Sequence, residues 1–256
     1  VSPYEFVQKT EEAMLLNRLR QLTALVLFAV IFVAPAQSKS LKHEAGVGYA
    51  SVEVDGQDSG FPLDGSTDGI ALYYGVVSES GLVFDARLTL GDGDFTLTTG
   101  EKTDYESRTI DLRVGKSFCL SESCATRIKP YAGINRFSSE NRLTAFATQV
   151  EVDQDRTKIP LGTEVIFSRG TIEFGADLQL GYKFDENQKI PALSVDQDAA
   201  SDWTLGVELF VRHTFPNDIF VQAEVNYFED DFDESGGGRS ATEEASTLTL
   251  SIGRKF

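Results

Sequence analysis

Few residues in this chain are equipped for chemistry. Its 256 residues include two histidines, His43 and His213, and two cysteines, Cys119 and Cys124. General-base work at neutral pH wants a histidine beside a nucleophile or a carboxylate. His43 instead opens one alternating segment, and His213 closes another in the same register as Val211 and Phe215. Both read as polar residues at an edge, so the chain is expected to be no enzyme, with no catalytic residue and no cofactor. The cysteines enclose only Leu-Ser-Glu-Ser. In an exported chain such an isolated pair reads as a disulfide clamping a turn. A metal site would need more ligands and a histidine nearby, so none is expected.

The third group with chemical potential is larger. Asp85, Arg87, Asp111, Arg113, Glu173, Asp177, Lys183, Glu208, Arg212 and Glu224 recur at every second position of segments whose other positions are apolar; Glu44, Lys129 and Glu164 share the pattern. Charges enclosed by a fold need partners. Two readings follow. The side chains pair and fill a narrow interior, or they line a small aqueous pore, weakly cation-selective because acids are in excess.

The elements that would hold these residues are strands. In Thr171–Phe184, apolar Ile172, Phe174, Ala176, Leu178 and Leu180 alternate with Glu173, Asp177 and Gln179. Leu82, Phe84, Ala86, Leu88 and Leu90 alternate with Asp85, Arg87 and Thr89. Period two means a strand. Similar segments begin near His43, Gly69, Thr103, Arg127, Arg156, Trp203 and Ile219, and the last runs to Phe256. No helical period of useful length follows residue 36. The connections alternate too. Polar stretches at 55–68, 138–155, 185–202 and 229–240 read as long loops, with 143–152 able to extend both flanking strands as a hairpin, while 78–81, 168–170 and 216–218 read as tight turns. The pattern predicts an all-β fold: a closed antiparallel up-and-down transmembrane β-barrel of about ten strands, with eight or twelve as alternatives. A soluble β-sandwich would need neither the sorting of the loops nor charges on the enclosed face. Aromatics near the strand ends (Tyr74, Phe118, Phe167, Tyr182, Trp203, Phe215, Tyr227 and Phe256) suit interfacial girdles.

The amino terminus reads as a targeting signal. Arg18 and Arg20 precede an apolar run from Leu22 to Val33, and Ala34-Pro35-Ala36 follows. That is the order basic, apolar, small, and cleavage is expected after Ala36. Met14 stands where such a signal should begin. Residues 1–13 are therefore expected to be a mis-annotated upstream extension, 14–36 a signal peptide and 37–256 the barrel. The net charge of −17 argues against nucleic acid as a partner, since phosphate contacts need Lys and Arg. The mean hydropathy of −0.17 does not argue against a barrel, in which lipid-facing and lumen-facing residues alternate. Asp230, Asp231, Asp233 and Glu234 form an acidic stretch that matches no ordered ion-binding loop; it reads as a flexible solvated loop, with weak divalent-cation binding as the alternative.

In the last segment, Leu248, Leu250, Ile252 and Phe256 share one face, and Thr247, Thr249, Ser251 and Gly253 share the other. A final strand ending in Phe resembles the closing strand of bacterial outer-membrane β-barrels. Arg254 departs from the usual pattern, which has an aromatic or aliphatic residue two before the terminal Phe. The chain over 37–256 resembles the small OmpA-, OmpX- and OmpW-like barrels and the solitary autotransporter-type barrels. That resemblance implies a Gram-negative outer-membrane location. It also implies lipid and lipopolysaccharide as surroundings, and the barrel-assembly machinery as a partner that reads Leu248, Leu250, Ile252 and Phe256. Barrel proteases of the omptin type carry a histidine at the extracellular rim. This chain's histidines are expected at the opposite, periplasmic rim, with the disulfide. The resemblance implies either a narrow passive pore for small solutes or a non-conducting structural or surface-interaction barrel acting through its loops.

Overall fold

The computed structural model describes residues 41–57, 62–96, 102–145, 148–190, 195–198, 202–233 and 240–256. The expected targeting segment and extension, the connection at 58–61, Glu234 and the loop tips lie outside them. Ten long strands form one sheet: β1 (Leu41–Gln57), β2 (Pro62–Ser78), β3 (Leu82–Thr96), β4 (Lys102–Lys116), β5 (Thr126–Ala145), β6 (Thr148–Arg169), β7 (Ile172–Ile190), β8 (Asp202–Thr214), β9 (Ile219–Asp233) and β10 (Ser240–Lys255). Two short pieces join them: Phe118–Cys119 pairs with β5, and Val195–Asp198 pairs with the far end of β7. Every long strand pairs antiparallel with its neighbours in sequence. β1 also pairs with β10, from Glu44 opposite Lys255 to Gln57 opposite Thr242. The sheet is therefore a closed ten-stranded up-and-down barrel with no free edge. The seam is completed by Phe256, which exchanges two backbone hydrogen bonds with His43, both 2.9 Å.

The pleat sorts the side chains. Leu178, Leu180, Leu205, Leu209, Val225, Leu248, Leu250 and Ile252 stand exposed on the outer wall. Phe118, Phe167, Phe215 and Phe256 are exposed at one end of this apolar band, and Tyr182, Trp203 and Tyr227 at the other. Tyr74 differs from the other expected girdle residues. It is half-buried, with its hydroxyl 2.7 Å from His43 Nδ1. In the second strand both parities are apolar, and its partners settle the inward face: Tyr73 pairs with Gly46 and packs inward against Phe220, ring centroids 5.7 Å apart.

The two barrel ends differ. One carries tight turns, with positive φ at Gly81, Gly170 and Asp218. The longest turn there is clamped by the Cys119–Cys124 disulfide, as the spacing predicted. The other end carries hairpins. The hairpin expected at 143–152 is present, and elsewhere the sequence reading needs correction, because most residues assigned to long loops are paired strand. Gln57 faces Pro62, Ser138 faces Asp155 and the ladder continues to Ala145 opposite Thr148, and Glu229 faces Glu244. The glycine- and aspartate-rich stretch 91–94 is also paired, Gly91 with Gly69 and Asp94 with Ser66. Past the apolar band both faces of a strand are polar, so alternation ceases. The backbone groups still need partners, and the ladder runs on. β4 ends at Lys116.

Candidate functional site

The interior begins, at the turn end, with Arg212. Its guanidinium reaches across from β8 to Glu44 on β1 at 2.9 and 3.2 Å, donates to Gln222 at 2.7 Å and lies 4.5 Å from the Phe220 ring centre. Glu173 accepts from Arg127 at 2.5 Å and from Lys255 at 3.4 Å. Above them Lys129 bridges Asp85, at 3.0 Å, and Glu164. Each charge is matched where the barrel withholds water, the condition for enclosing it without a large penalty.

The middle layer spans the lumen. Arg87 on β3 grips Glu224 on β9 through two bonds of 2.5 and 2.9 Å and lies 3.5 Å from Glu208 on β8. Arg113 on β4 binds Asp111 through Nε and NH2 and Asp177 on β7 at 2.9 Å. Tyr131 on β5 donates to the same Asp177 oxygen at 2.6 Å, with the Arg113 guanidinium 4.8 Å from its ring centre. Bidentate, charge-assisted bonds of this kind are both strong and directional. Glycine positions the ring. Gly162 faces Tyr131 across the ladder, and a Cβ there would strike the phenol. Gly175 makes the same room for Phe210.

Toward the hairpin end, Glu186 forms an ion pair with Lys183 at 2.8 Å and accepts from Arg156 at 3.2 Å and from Gln154 at 2.8 Å. Lys158 stands 4.4 Å from the Phe228 ring centre. Two cavities flank the middle layer, about 190 Å³ toward the turns and about 170 Å³ toward the hairpins. Arg87, Asp111, Arg113, Glu224 and Thr249 wall both. One layer of side chains thus divides the lumen.

The ten interior candidates are all placed inside. Asp85, Arg87, Asp111, Arg113, Glu173, Glu208, Arg212 and Glu224 line the turn-side cavity. Asp177 is buried against Arg113, and Lys183 against Glu186. Parity in sequence missed Glu186. A register shift sets Thr157 opposite Asp185 and Lys158 opposite Lys183, leaving Phe184 without a partner on β6. That β-bulge flips the pleat, so Lys183 and Glu186 both point inward. Tyr131, Arg156 and Lys158 share parity with Lys129 and Glu164, and that signal would have found them. Leu248, Leu250, Ile252 and Phe256 face outward together. The backbone of Asp230, Asp231 and Asp233 belongs to β9, but their side chains lie outside the described residues. His213 packs edge-on against Phe215, 4.7 Å between ring centres, and His43 stacks on Phe256 at 6.1 Å; both sit at the turn end.

No known protein family and no curated protein matches the chain. Among solved structures it is similar to the outer membrane protease OmpT from Escherichia coli, with a TM-score of 0.58 and 11% identity over 86% of this chain and 98% of that one. It is also similar to the translocator domain of the autotransporter NalP from Neisseria meningitidis, with a TM-score of 0.50 and 13% identity over 98% of each chain. At such identities the likeness is one of fold. The closed antiparallel architecture, the apolar outer wall and these neighbours together make this the fold of the outer-membrane β-barrels.

Proposed function

We propose that this protein is a non-conducting barrel of the outer membrane that acts through the hairpins it presents outside the cell. Its place in the membrane is supported by the exposed apolar wall between two aromatic girdles, which suits lipid and little else. Lipid and lipopolysaccharide are its surroundings on this reading, and the outward face of β10 is what the assembly machinery would read. The observation that carries the non-conducting reading is the middle layer. Arg87–Glu224 and Arg113–Asp177 join opposite parts of the wall, and both cavities end on it.

The likeness to OmpT brings a protease into view, but both histidines of this chain lie at the turn end, away from the hairpins where an omptin-type site would form. That supports a non-enzymatic role. A narrow passive pore is the second reading, favoured by the thinness of the layer that separates the cavities. Planar-bilayer recording of the refolded protein decides between them. The proposal expects silence from the wild type and discrete, cation-favouring steps from R87A/R113A, which leaves the layer's carboxylates in place. Regular wild-type steps would sink it and establish the pore.

A further inference from the structure

Among the described residues, three acceptor oxygens in the middle of the lumen have no protein donor. Glu208 on β8 stands directly opposite Asp177 on β7 and, on its other side, opposite Asn226 on β9. Directly opposed residues hold their Cβ atoms about 4.5–5.5 Å apart, so the three side chains form one row across three strands. All face inward: Asp177 turns one oxygen to Arg113, Glu208 lines the turn-side cavity, and Asn226 lines the hairpin-side cavity. They are 3%, 8% and 8% exposed, respectively. Asp177 Oδ1, Glu208 Oε2 and Asn226 Oδ1 receive no hydrogen bond from the protein. Such a row is unfavourable alone, because opposed like charges repel and enclosed acceptors want donors.

The charge count of the layer points the same way. Asp111, Asp177, Glu208 and Glu224 face the two guanidiniums of Arg87 and Arg113, an excess of two negative charges. Arg87 is engaged by Glu224, and Arg113 by Asp111 and Asp177. Glu208 Oε2 lies 3.5 Å from Arg87 and, among the described residues, accepts no hydrogen bond.

We propose that Asp177, Glu208 and Asn226 form a binding site for a hard cation, divalent by charge. Carboxylate and amide oxygens are the ligands Mg²⁺ and Ca²⁺ take, and Mg²⁺ binds through one or two carboxylates while keeping several waters. The cavities on either side leave room for those waters. Among the described residues no group of three or more His, Cys, Asp or Glu is placed to hold a metal. This row is of another kind, two carboxylates and an amide. A bound cation would tie β7, β8 and β9 together at mid-height. The site goes beyond the functional reading above and does not depend on it, since conductance and cation binding are read separately.

The test uses the full chain, purified in detergent and stripped with EDTA. Its thermal midpoint is followed during titration with CaCl₂ or MgCl₂, against NaCl at matched ionic strength. The wild type is expected to show a saturable rise on the order of 3 °C with a divalent ion. Glu208→Gln abolishes that rise, and Asn226→Leu shifts its midpoint about tenfold or more to higher concentration. Glu140→Gln, on a hairpin outside the row, keeps it. Asn226→Leu preserves the layer's charges, so it serves if Glu208→Gln fails to fold. Three results would overturn the proposal: no saturable rise in the wild type; the same rise in Glu208→Gln or Asn226→Leu, meaning outer acids bind the ion; or stabilisation that follows pH through Glu208 without any cation, meaning a proton fills the row.

Discussion

Two Arg–Asp pairs of this chain share a chemistry and differ in almost everything else. Arg113–Asp177 crosses the lumen at 2.9 Å, with side chains 13% and 3% exposed. Arg136–Asp155 lies on the β5–β6 hairpin at 3.6 Å, with side chains 65% and 56% exposed. The first is one member of a network in which each group is held by another, Asp177 by Tyr131 and Arg113 by Asp111. The second links two neighbouring strands whose backbone ladder already joins them. Water and salt screen it. The lumen pair belongs to the architecture, whereas the hairpin pair decorates a surface free to change.

The largest way to break the comparison is on the lumen side. Arg113→Ala removes one cation and leaves Asp111 and Asp177 facing each other without it. Removing one partner of an enclosed pair costs about 3–5 kcal/mol, and urea unfolding of the refolded barrel should show a loss of that size. Replacing the outer-wall residue Leu250 by Arg tests a different term. A cation on the lipid face near mid-membrane costs about 2–4 kcal/mol. That loss should appear in lipid vesicles and shrink in detergent, where the wall is less strictly apolar. If vesicles and detergent gave the same small loss, Leu250 would not face lipid.

How far the sequence reads follows from the same physics. The outer wall was legible because lipid imposes one requirement on every residue that meets it. Leu178, Leu180, Leu248, Leu250 and Ile252 could be assigned outward by counting in twos. The inner set was legible as a set, again by parity. The pairing was not: nothing in the order of residues says that Arg87 meets Glu224, which is 137 positions away, because closure of the barrel decides it. Glu186 was hidden by the bulge at Phe184, which reverses parity within one strand. Apart from 143–152, the hairpins were misread as loops because, beyond the membrane, no face must be apolar.

A smaller effect tests how the middle layer is positioned. Gly162→Ala places a methyl group where the Tyr131 ring lies. The ring must tilt, and its bond to Asp177 lengthens or breaks. Overpacking of this kind costs about 1–3 kcal/mol. Tyr131→Phe separates the two contributions, since it keeps the ring and loses only the hydroxyl bond, worth about 1.5–3 kcal/mol to a charged acceptor. Combined with Gly162→Ala it should cost less than the two losses added, because the methyl already disturbs that bond. Additive losses in the double variant would show that the glycine acts elsewhere.

The smallest effect is expected at the hairpin. Arg136→Ala should change the unfolding free energy by less than about 1 kcal/mol, and that difference should vanish as salt is raised. The value of this result lies in its contrast with Arg113→Ala under identical conditions. The backbone ladder from Ser138–Asp155 to Ala145–Thr148 holds the hairpin whichever side chains it carries. On the proposed reading its sequence is set by what it meets outside the cell, while the enclosed charges of the lumen need partners. A loss for Arg136→Ala as large as that for Arg113→Ala would remove this distinction. It would make the hairpin part of the barrel's stability core, and the outward-acting reading of the protein would lose its main structural support.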